Sequence, residues 1–158
     1  MTIADTIPVE NRTLHLTRTF DAPRALVFKC WTDPALLAAW WAPRPFTMPR
    51  LTLDVRPGGR IDAAMRAPDG TDHPFDGEYT VVEEPSRLEF RSWIRAGDDI
   101  LFENAHVVKF EEDGDRTVVT LDVKVVSAQA GAAGHLSGMA QGWAMCLDQL
   151  AEVVADRA

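Results

Sequence analysis

Six segments in which apolar and polar residues alternate constrain the fold of this chain more than any other feature. They are residues 51–56, 60–66, 75–83, 87–95, 102–110 and 118–126. A repeat of two residues indicates β-strands with one buried and one exposed face. Each break between the segments contains Gly, Pro, Asp or Ser, which favour the tight turns of hairpins. The six segments therefore predict an antiparallel meander.

The residues on either side of the meander complete the expected sheet and add a helix. Residues 13–20 also alternate and predict a first strand, so the sheet should have seven. After a link of small residues at 127–134, apolar residues recur every three or four positions as far as Val154. This spacing predicts one long amphipathic helix at the C-terminal end.

Two helix starts lie between the first strand and the meander. Asp21 with Pro23, and Asp33 with Pro34, each combine a side chain that can cap a helix with a proline that the first turn tolerates. The predicted fold is thus α+β: a seven-stranded curved antiparallel sheet wrapped around a long C-terminal helix, with two short helices between strands 1 and 2. Such a sheet leaves a space beside the helix wherever the facing side chains are small.

Length and charge limit the number of domains and the class of partner. The chain has 158 residues, of which 46% are apolar, and we predict a single domain at 13–158 after an N-terminal extension at 1–12. Sixteen Lys and Arg against 24 Asp and Glu give a net charge of −8, which repels phosphate backbones. We therefore expect no nucleic-acid partner.

Targeting and cysteine patterns favour a cytoplasmic location. The first residues lack the basic and apolar regions of a secretory signal. Cys30 and Cys146 lie among apolar neighbours, where a cysteine usually serves as a small buried hydrophobe. Residues 125–147 lack Asp, Glu, Lys and Arg but are rich in Gly, Ser and Gln, so we predict no membrane span.

The order of short motifs resembles a known family. The chain is similar to the helix-grip proteins of the START-like superfamily, also called SRPBCC, and among them to the homologues of the heat-shock-protein ATPase activator. The resemblance runs from about Leu14 to Val154. Its most specific motifs are Phe20-Asp21-Ala22-Pro23, Trp31-Thr32-Asp33-Pro34, Trp40-Trp41-Ala42-Pro43, Gly77-Glu78-Tyr79 and Gly138-Met139-Ala140-Gln141-Gly142-Trp143. It implies a cavity for a small hydrophobic molecule.

Two polar residues share the apolar face of their predicted strands. Ser92 alternates in step with Leu88, Phe90 and Ile94, and His106 with Phe102, Asn104 and Val108. If this is the face that the helix covers, both point into the cavity. His106 is then either a core histidine bonded to a backbone group or a candidate acid or base.

The tryptophans suggest further boundaries of the cavity. Trp143 lies in the apolar stripe of the long helix and must face the sheet. Trp40 and Trp41 are neighbours on the second short helix, so their side chains should point about 100° apart. The two tryptophan side chains therefore cannot both be fully buried on one face of the helix. We expect one of them to flank a cavity mouth or a partner surface.

The candidate ligand-binding residues are mostly apolar, as is usual for a small-molecule site. They are Met65, Phe75, Ser92, Ile94, Phe102, His106, Met139 and Trp143. The four histidines are scattered, and residues 57–59 join two strands rather than leading into a helix as a phosphate loop would. We therefore predict neither a metal nor a cofactor.

Three functions stay open at this point. The first is the binding of a small hydrophobic ligand, and the second is a cyclase or hydrolase type of enzyme with His106 as its acid or base. The third, implied by the resemblance, is activation of a heat-shock chaperone. The eukaryotic activators pair this domain with a separate N-terminal domain, which twelve residues before the first strand cannot replace. Dimerisation through a sheet edge or the Trp40–Trp41 corner is a further possibility.

Overall fold

The computed structural model describes residues 12–96 and 98–157. Its strands are β1 Thr13–Phe20, β2 Thr47–Leu53, β3 Arg60–Arg66, β4 Asp72–Glu83, β5 Arg87–Ala96, β6 Asp99–Asp113 and β7 Arg116–Ala128. Its helices are α1 Arg24–Thr32, α2 Pro34–Ala38 and α3 Ala133–Arg157, and a turn of 3-10 helix at Ala130–Ala132 precedes α3. Apart from Arg12, the predicted N-terminal extension lies outside the described residues.

The strands form one antiparallel sheet in the order β1-β7-β6-β5-β4-β3-β2. Strands β2 to β7 follow one another as a meander, and β1 returns to pair with β7. The sheet is curved, and α3 packs against its inner face. The predicted α+β fold is confirmed, including the two short helices between β1 and β2.

Alternating burial defines the inner face of the sheet. In β6 and β7 every second side chain is buried, among them Val108, Phe110, Leu121 and Val123. These residues form one apolar cluster with Leu147 and other side chains of α3. The period of two in the sequence therefore arises from burial of one face against the helix.

Several element boundaries differ from the sequence prediction: β4 and β6 each begin three residues earlier than predicted, and β2 and the link before α3 differ as well. The second strand covers Thr47–Leu53 rather than 51–56, because residues 54–59 are bonded into a turn in which Asp54 N donates to Arg60 O and Gly59 N to Arg56 O. A Cβ at Gly59 would lie 1.8 Å from Asp54 O, so this turn needs glycine. The predicted link at 127–134 is shorter, since β7 continues to Ala128 and α3 begins at Ala133.

The two predicted helix caps have different outcomes. Asp33 caps α2 as expected, because its carboxylate accepts hydrogen bonds from Ala35 N at 3.0 Å and Leu36 N at 3.3 Å. The prediction that Asp21 caps α1 is wrong. The N-cap residue of α1 is Pro23, which makes no side-chain bond, and the Asp21 carboxylate lies 3.8 Å from Arg116 instead.

Trp40 and Trp41 are both buried, but they face different neighbours and Trp41 borders a cavity, as expected for one of the pair. Helix α2 ends at Ala38, so the two residues lie in the turn that follows it and are free to face different neighbours. Trp40 contacts Trp31 and donates its Nε1–H to Cys30 O at 2.9 Å. Trp41 packs edge-on against Phe75.

Two further sequence expectations concern membranes and thiols. In the part of the chain that the structure describes, no helix is both long and apolar enough to cross a membrane.

Cys30 and Cys146 are buried and free. Burial raises the pKa of both thiols, that of Cys146 to about 12. These cysteines are therefore poor nucleophiles.

Candidate functional site

A cavity of about 380 Å³ lies between the inner face of the sheet and α3. Its walls come from β3 to β6, from α3 and from the turn after α2. All eight sequence-predicted residues line it: Met65, Phe75, Ser92, Ile94, Phe102, His106, Met139 and Trp143. The volume lies within the range of small-molecule sites, roughly 300–1,000 Å³.

Eight further residues line the cavity and were not among the candidates. They are Trp41, Pro43, Phe46, His73, Trp93, Asn104, Gly142 and Cys146. Asn104, Gly142 and Cys146 had a sequence signal, because they lie on the same strand face or helix stripe as predicted members. Trp41 was expected only as one of two residues that could flank a cavity, and Pro43 and Phe46 had no signal, since only tertiary packing brings them to the end of the sheet.

One side chain of α3 holds that turn in place. Gln149 is 5% exposed; its Nε2 donates to Trp40 O at 3.1 Å and to Ala42 O at 2.9 Å. Its Oε1 accepts from Arg44 N at 2.9 Å. The three bonds fix the backbone that carries Trp41 and Pro43 into the cavity wall.

Aromatic rings form the floor of the cavity. The ring of Trp143 stacks on Trp31 with centroids 6.1 Å apart and meets His106 edge-on at 5.7 Å. The imidazole of His106 stacks on Phe90 at 4.3 Å. These contacts fix the orientation of the imidazole and cover the face that it turns towards the sheet.

His106 is a buried, neutral histidine. Its Nδ1 lies 3.3 Å from Phe90 O, and because a carbonyl oxygen can only accept, Nδ1 carries the proton. Burial lowers the pKa of His106 to about 4, while the bond to Phe90 opposes this change. At neutral pH the ring therefore has an N–H donor committed to the backbone and an acceptor, Nε2, at the cavity wall.

Two other polar residues stand beside His106 on the sheet. In the register of β5 and β6, Ser92 pairs with Asn104 and Phe90 with His106. Asn104 is 8% exposed, and its Oδ1 is buried without a hydrogen-bond partner. Buried carbonyl oxygens are normally paired, so the enclosed, unpaired Oδ1 of Asn104 carries an unmet hydrogen-bond requirement.

Apart from the His73 imidazole and the Cys146 thiol, the remaining side chains of the wall are largely apolar. None of the described residues that line the cavity is Asp, Glu, Lys or Arg. Trp93 also contributes to the wall. Its indole ring lies on the outer side of β5, where the guanidinium carbon of Arg60 is 5.2 Å from the ring centroid, so this cation is outside the cavity. No group of three or more His, Cys, Asp or Glu among the described residues could hold a metal ion.

A curved antiparallel sheet that encloses a cavity against one long helix defines the class of helix-grip proteins, to which this structure belongs. Within that class the assignment can be made at the level of the family. A family model described as "Activator of Hsp90 ATPase homolog 1-like protein" matches residues 21–155, and the chain belongs to this family.

Solved structures agree with this assignment. Protein Ms6760 from Mycobacterium smegmatis is 26% identical, with a TM-score of 0.76 and coverage of 94% of both chains. Protein NE0264 from Nitrosomonas europaea is 25% identical, with a TM-score of 0.77 and coverage of 92% of this chain and 95% of its own. A protein from Arthrobacter aurescens shares the fold at 24% identity, with a TM-score of 0.82 and coverage of 98% and 93%. No curated protein matches this chain.

Proposed function

We propose that this protein binds a small hydrophobic molecule in the cavity between the sheet and α3. The observation that carries the proposal is the wall itself, which is lined mainly by aromatic and aliphatic side chains with a few polar groups, three of them side by side on β5 and β6. Burial of a ligand against such a wall is driven by the apolar area removed from water, and the polar groups select its orientation.

An enzymatic role for His106 has less support than ligand binding. A general base works best when its pKa lies near the working pH, and burial lowers that of His106 to about 4. The ring is therefore a weak base that is suited to accept a hydrogen bond. Chaperone activation, which the family description suggests, remains a prediction that has no counterpart among the features of the cavity.

The free, buried cysteines support a cytoplasmic location, where thiols stay reduced. We include this location in the proposal because it determines where a ligand should be sought. Small apolar metabolites of the cell interior are thus the first compounds to screen.

A variant that fills the cavity tests the proposed function. Ser92 is a small residue in the wall, and Ser92→Phe should occupy part of the space that a ligand needs. We expect the neutral fluorescent probe N-phenyl-1-naphthylamine to bind the wild type saturably and the variant at least about tenfold more weakly, a loss of about 1.4 kcal/mol.

The matched control is Ser127→Phe. Ser127 is exposed on β7 and does not line the cavity. This variant should bind the probe as the wild type does, with both variants checked for folding by circular dichroism. Equal binding by wild type and a folded Ser92→Phe variant would exclude the cavity as the site.

A further inference from the structure

We propose that the ligand is a neutral molecule that presents an O–H or N–H donor to a polar cluster on the sheet wall of the cavity. The cluster consists of Ser92, Asn104 and His106, and we refer to it as the acceptor cluster. This inference rests on the proposed function, since it names the class of molecule that the same cavity selects.

His106 supplies an acceptor whose identity is fixed by geometry. Its Nδ1–H is committed to Phe90 O at 3.3 Å, so the remaining ring nitrogen, Nε2, has a lone pair and no proton. The ring cannot easily change this state by taking up a proton, because it is enclosed between Phe90 and Trp143 and is 3% exposed. A ligand that contacts Nε2 must therefore bring the proton.

Asn104 adds a second polar side chain with an unpaired acceptor to the same wall. It lies two residues before His106 on β6 and therefore projects to the same face of the sheet. Its Oδ1 is buried and lacks a partner among the described residues, although a buried carbonyl oxygen is stabilised by a donor. Because this oxygen is enclosed when the cavity is empty, a ligand hydroxyl or N–H would provide the missing bond once the amide turns towards the cavity.

Ser92 lies directly opposite Asn104 on the neighbouring strand and completes the cluster. The Ser92 hydroxyl can donate or accept a hydrogen bond. When a ligand hydroxyl donates its proton to His106 or Asn104, Ser92 can donate to the oxygen of that same ligand hydroxyl. The rest of the wall is mainly apolar. A rigid apolar body with one hydroxyl, such as a phenol or a polycyclic alcohol, matches this arrangement.

The same arrangement disfavours an anionic ligand. No described residue that lines the cavity is Lys or Arg, so a carboxylate placed at the acceptor cluster would lose its hydration without gaining a lysine or arginine partner, and His73 belongs to β4 rather than to this cluster. Its oxygens would also face the lone pair of His106 Nε2. The cavity should therefore discriminate against fatty-acid-like carboxylates and in favour of neutral alcohols and phenols.

Four compounds of one ring system test this inference: naphthalene, 2-methoxynaphthalene, 2-naphthol and 2-naphthoate, each competing with N-phenyl-1-naphthylamine for the wild-type protein at pH 7. We expect 2-naphthol to bind about five- to tenfold more tightly than 2-methoxynaphthalene, the ratio for about one net hydrogen bond. We expect 2-naphthoate to bind most weakly.

Variants then test the role of the cluster. His106→Phe keeps an aromatic ring against Phe90 but removes Nε2, and the preference for 2-naphthol over 2-methoxynaphthalene should fall to about twofold or less. Asn104→Leu provides a second variant, and since one hydroxyl donates one hydrogen bond, the preference should fall in at least the variant that lacks the acceptor it uses. His15→Phe alters a histidine that is exposed on β1, outside the cavity wall, and should retain the full preference.

The outcomes separate the two proposals. If the compounds bind but 2-naphthol has no advantage, or if 2-naphthoate binds most tightly, this inference is wrong and the proposed function stands. If the preference persists in both His106→Phe and Asn104→Leu, the acceptor cluster is not its source. If the probe binds but none of the four compounds displaces it, this inference is wrong and the proposed function stands, whereas failure of the probe and of all four compounds to bind would overturn both proposals.

Discussion

The imidazole of His106 is the residue on which the chemistry of the cavity depends most. Its alternation with Phe102, Asn104 and Val108 in the sequence was sufficient to predict that it faces the cavity. Its protonation state was beyond prediction from sequence, because it depends on the stacked ring of Phe90 and on a bond to a backbone carbonyl of another strand. The tertiary structure makes the ring neutral.

The neutral state of His106 predicts how stability depends on pH. The unfolded chain takes up a proton on this ring below about pH 6.5, whereas the folded protein does so only near pH 4. The free energy of unfolding should therefore fall as the pH drops through this window. Between pH 7 and pH 5 the loss from this one group is about 2 kcal/mol.

Urea titrations at the two pH values measure this loss. His106→Phe lacks the titrating ring, and the other ionisable groups are common to both proteins. The wild type should lose about 2 kcal/mol more than the variant between pH 7 and pH 5. Equal losses would mean that the folded state admits a proton on His106 at moderate pH.

Asn104 illustrates a residue that the sequence indicated but did not single out. It was recognised on the same strand face as His106, yet an asparagine at one position of a strand gives no sign of whether its amide is bonded. Only the structure reveals that Oδ1 is buried without a partner. Its part in the site therefore follows from an unmade hydrogen bond, which has no sequence signature.

At the scale of elements, the turn after α2 is the least predictable part of the site. The helix was expected to include Trp40 and Trp41, but it ends at Ala38, and the following backbone is bonded to Gln149 of α3. A contact between residues more than 100 positions apart leaves no periodic pattern. The strands, by contrast, were predictable because burial of one face imposes a period of two.

Removal of the Gln149 bonds should loosen this turn. Gln149→Met keeps the length of the side chain but leaves the carbonyls of Trp40 and Ala42 and the N–H of Arg44 without their partner. With about 1 kcal/mol for each bond, we expect the free energy of unfolding to fall by about 3 kcal/mol. Urea denaturation measures the change.

The control for this variant lies on the same helix. Gln141 is exposed, so Gln141→Met should change stability by no more than about 0.5 kcal/mol. If Gln149→Met lowered the free energy of unfolding by no more than Gln141→Met does, water would have to replace the three hydrogen bonds. The position of the turn would then not depend on α3.

At the scale of the whole molecule, the fold follows from one apolar sheet face and one apolar helix stripe that cover each other. That relation was visible in the sequence, and it predicted eight residues that line the cavity. Of the other eight, Asn104, Gly142 and Cys146 lie on the same predicted faces, whereas residues such as Pro43 and Phe46 reach the cavity only through the packing of the turn after α2. Dimerisation and a chaperone partner stay predictions, since they concern surfaces rather than this core.

The central claim is that a neutral apolar molecule enters the cavity beneath α3. The measurement that tests it most directly is a ¹H–¹⁵N NMR titration of the full chain with 2-naphthol. We expect saturable shifts that reach their end point with one ligand bound per chain and are largest at the backbone amides of Ser92, Asn104, Met139 and Trp143. Shifts that grow without saturation, or that cluster on the outer face of the sheet, would contradict the claim.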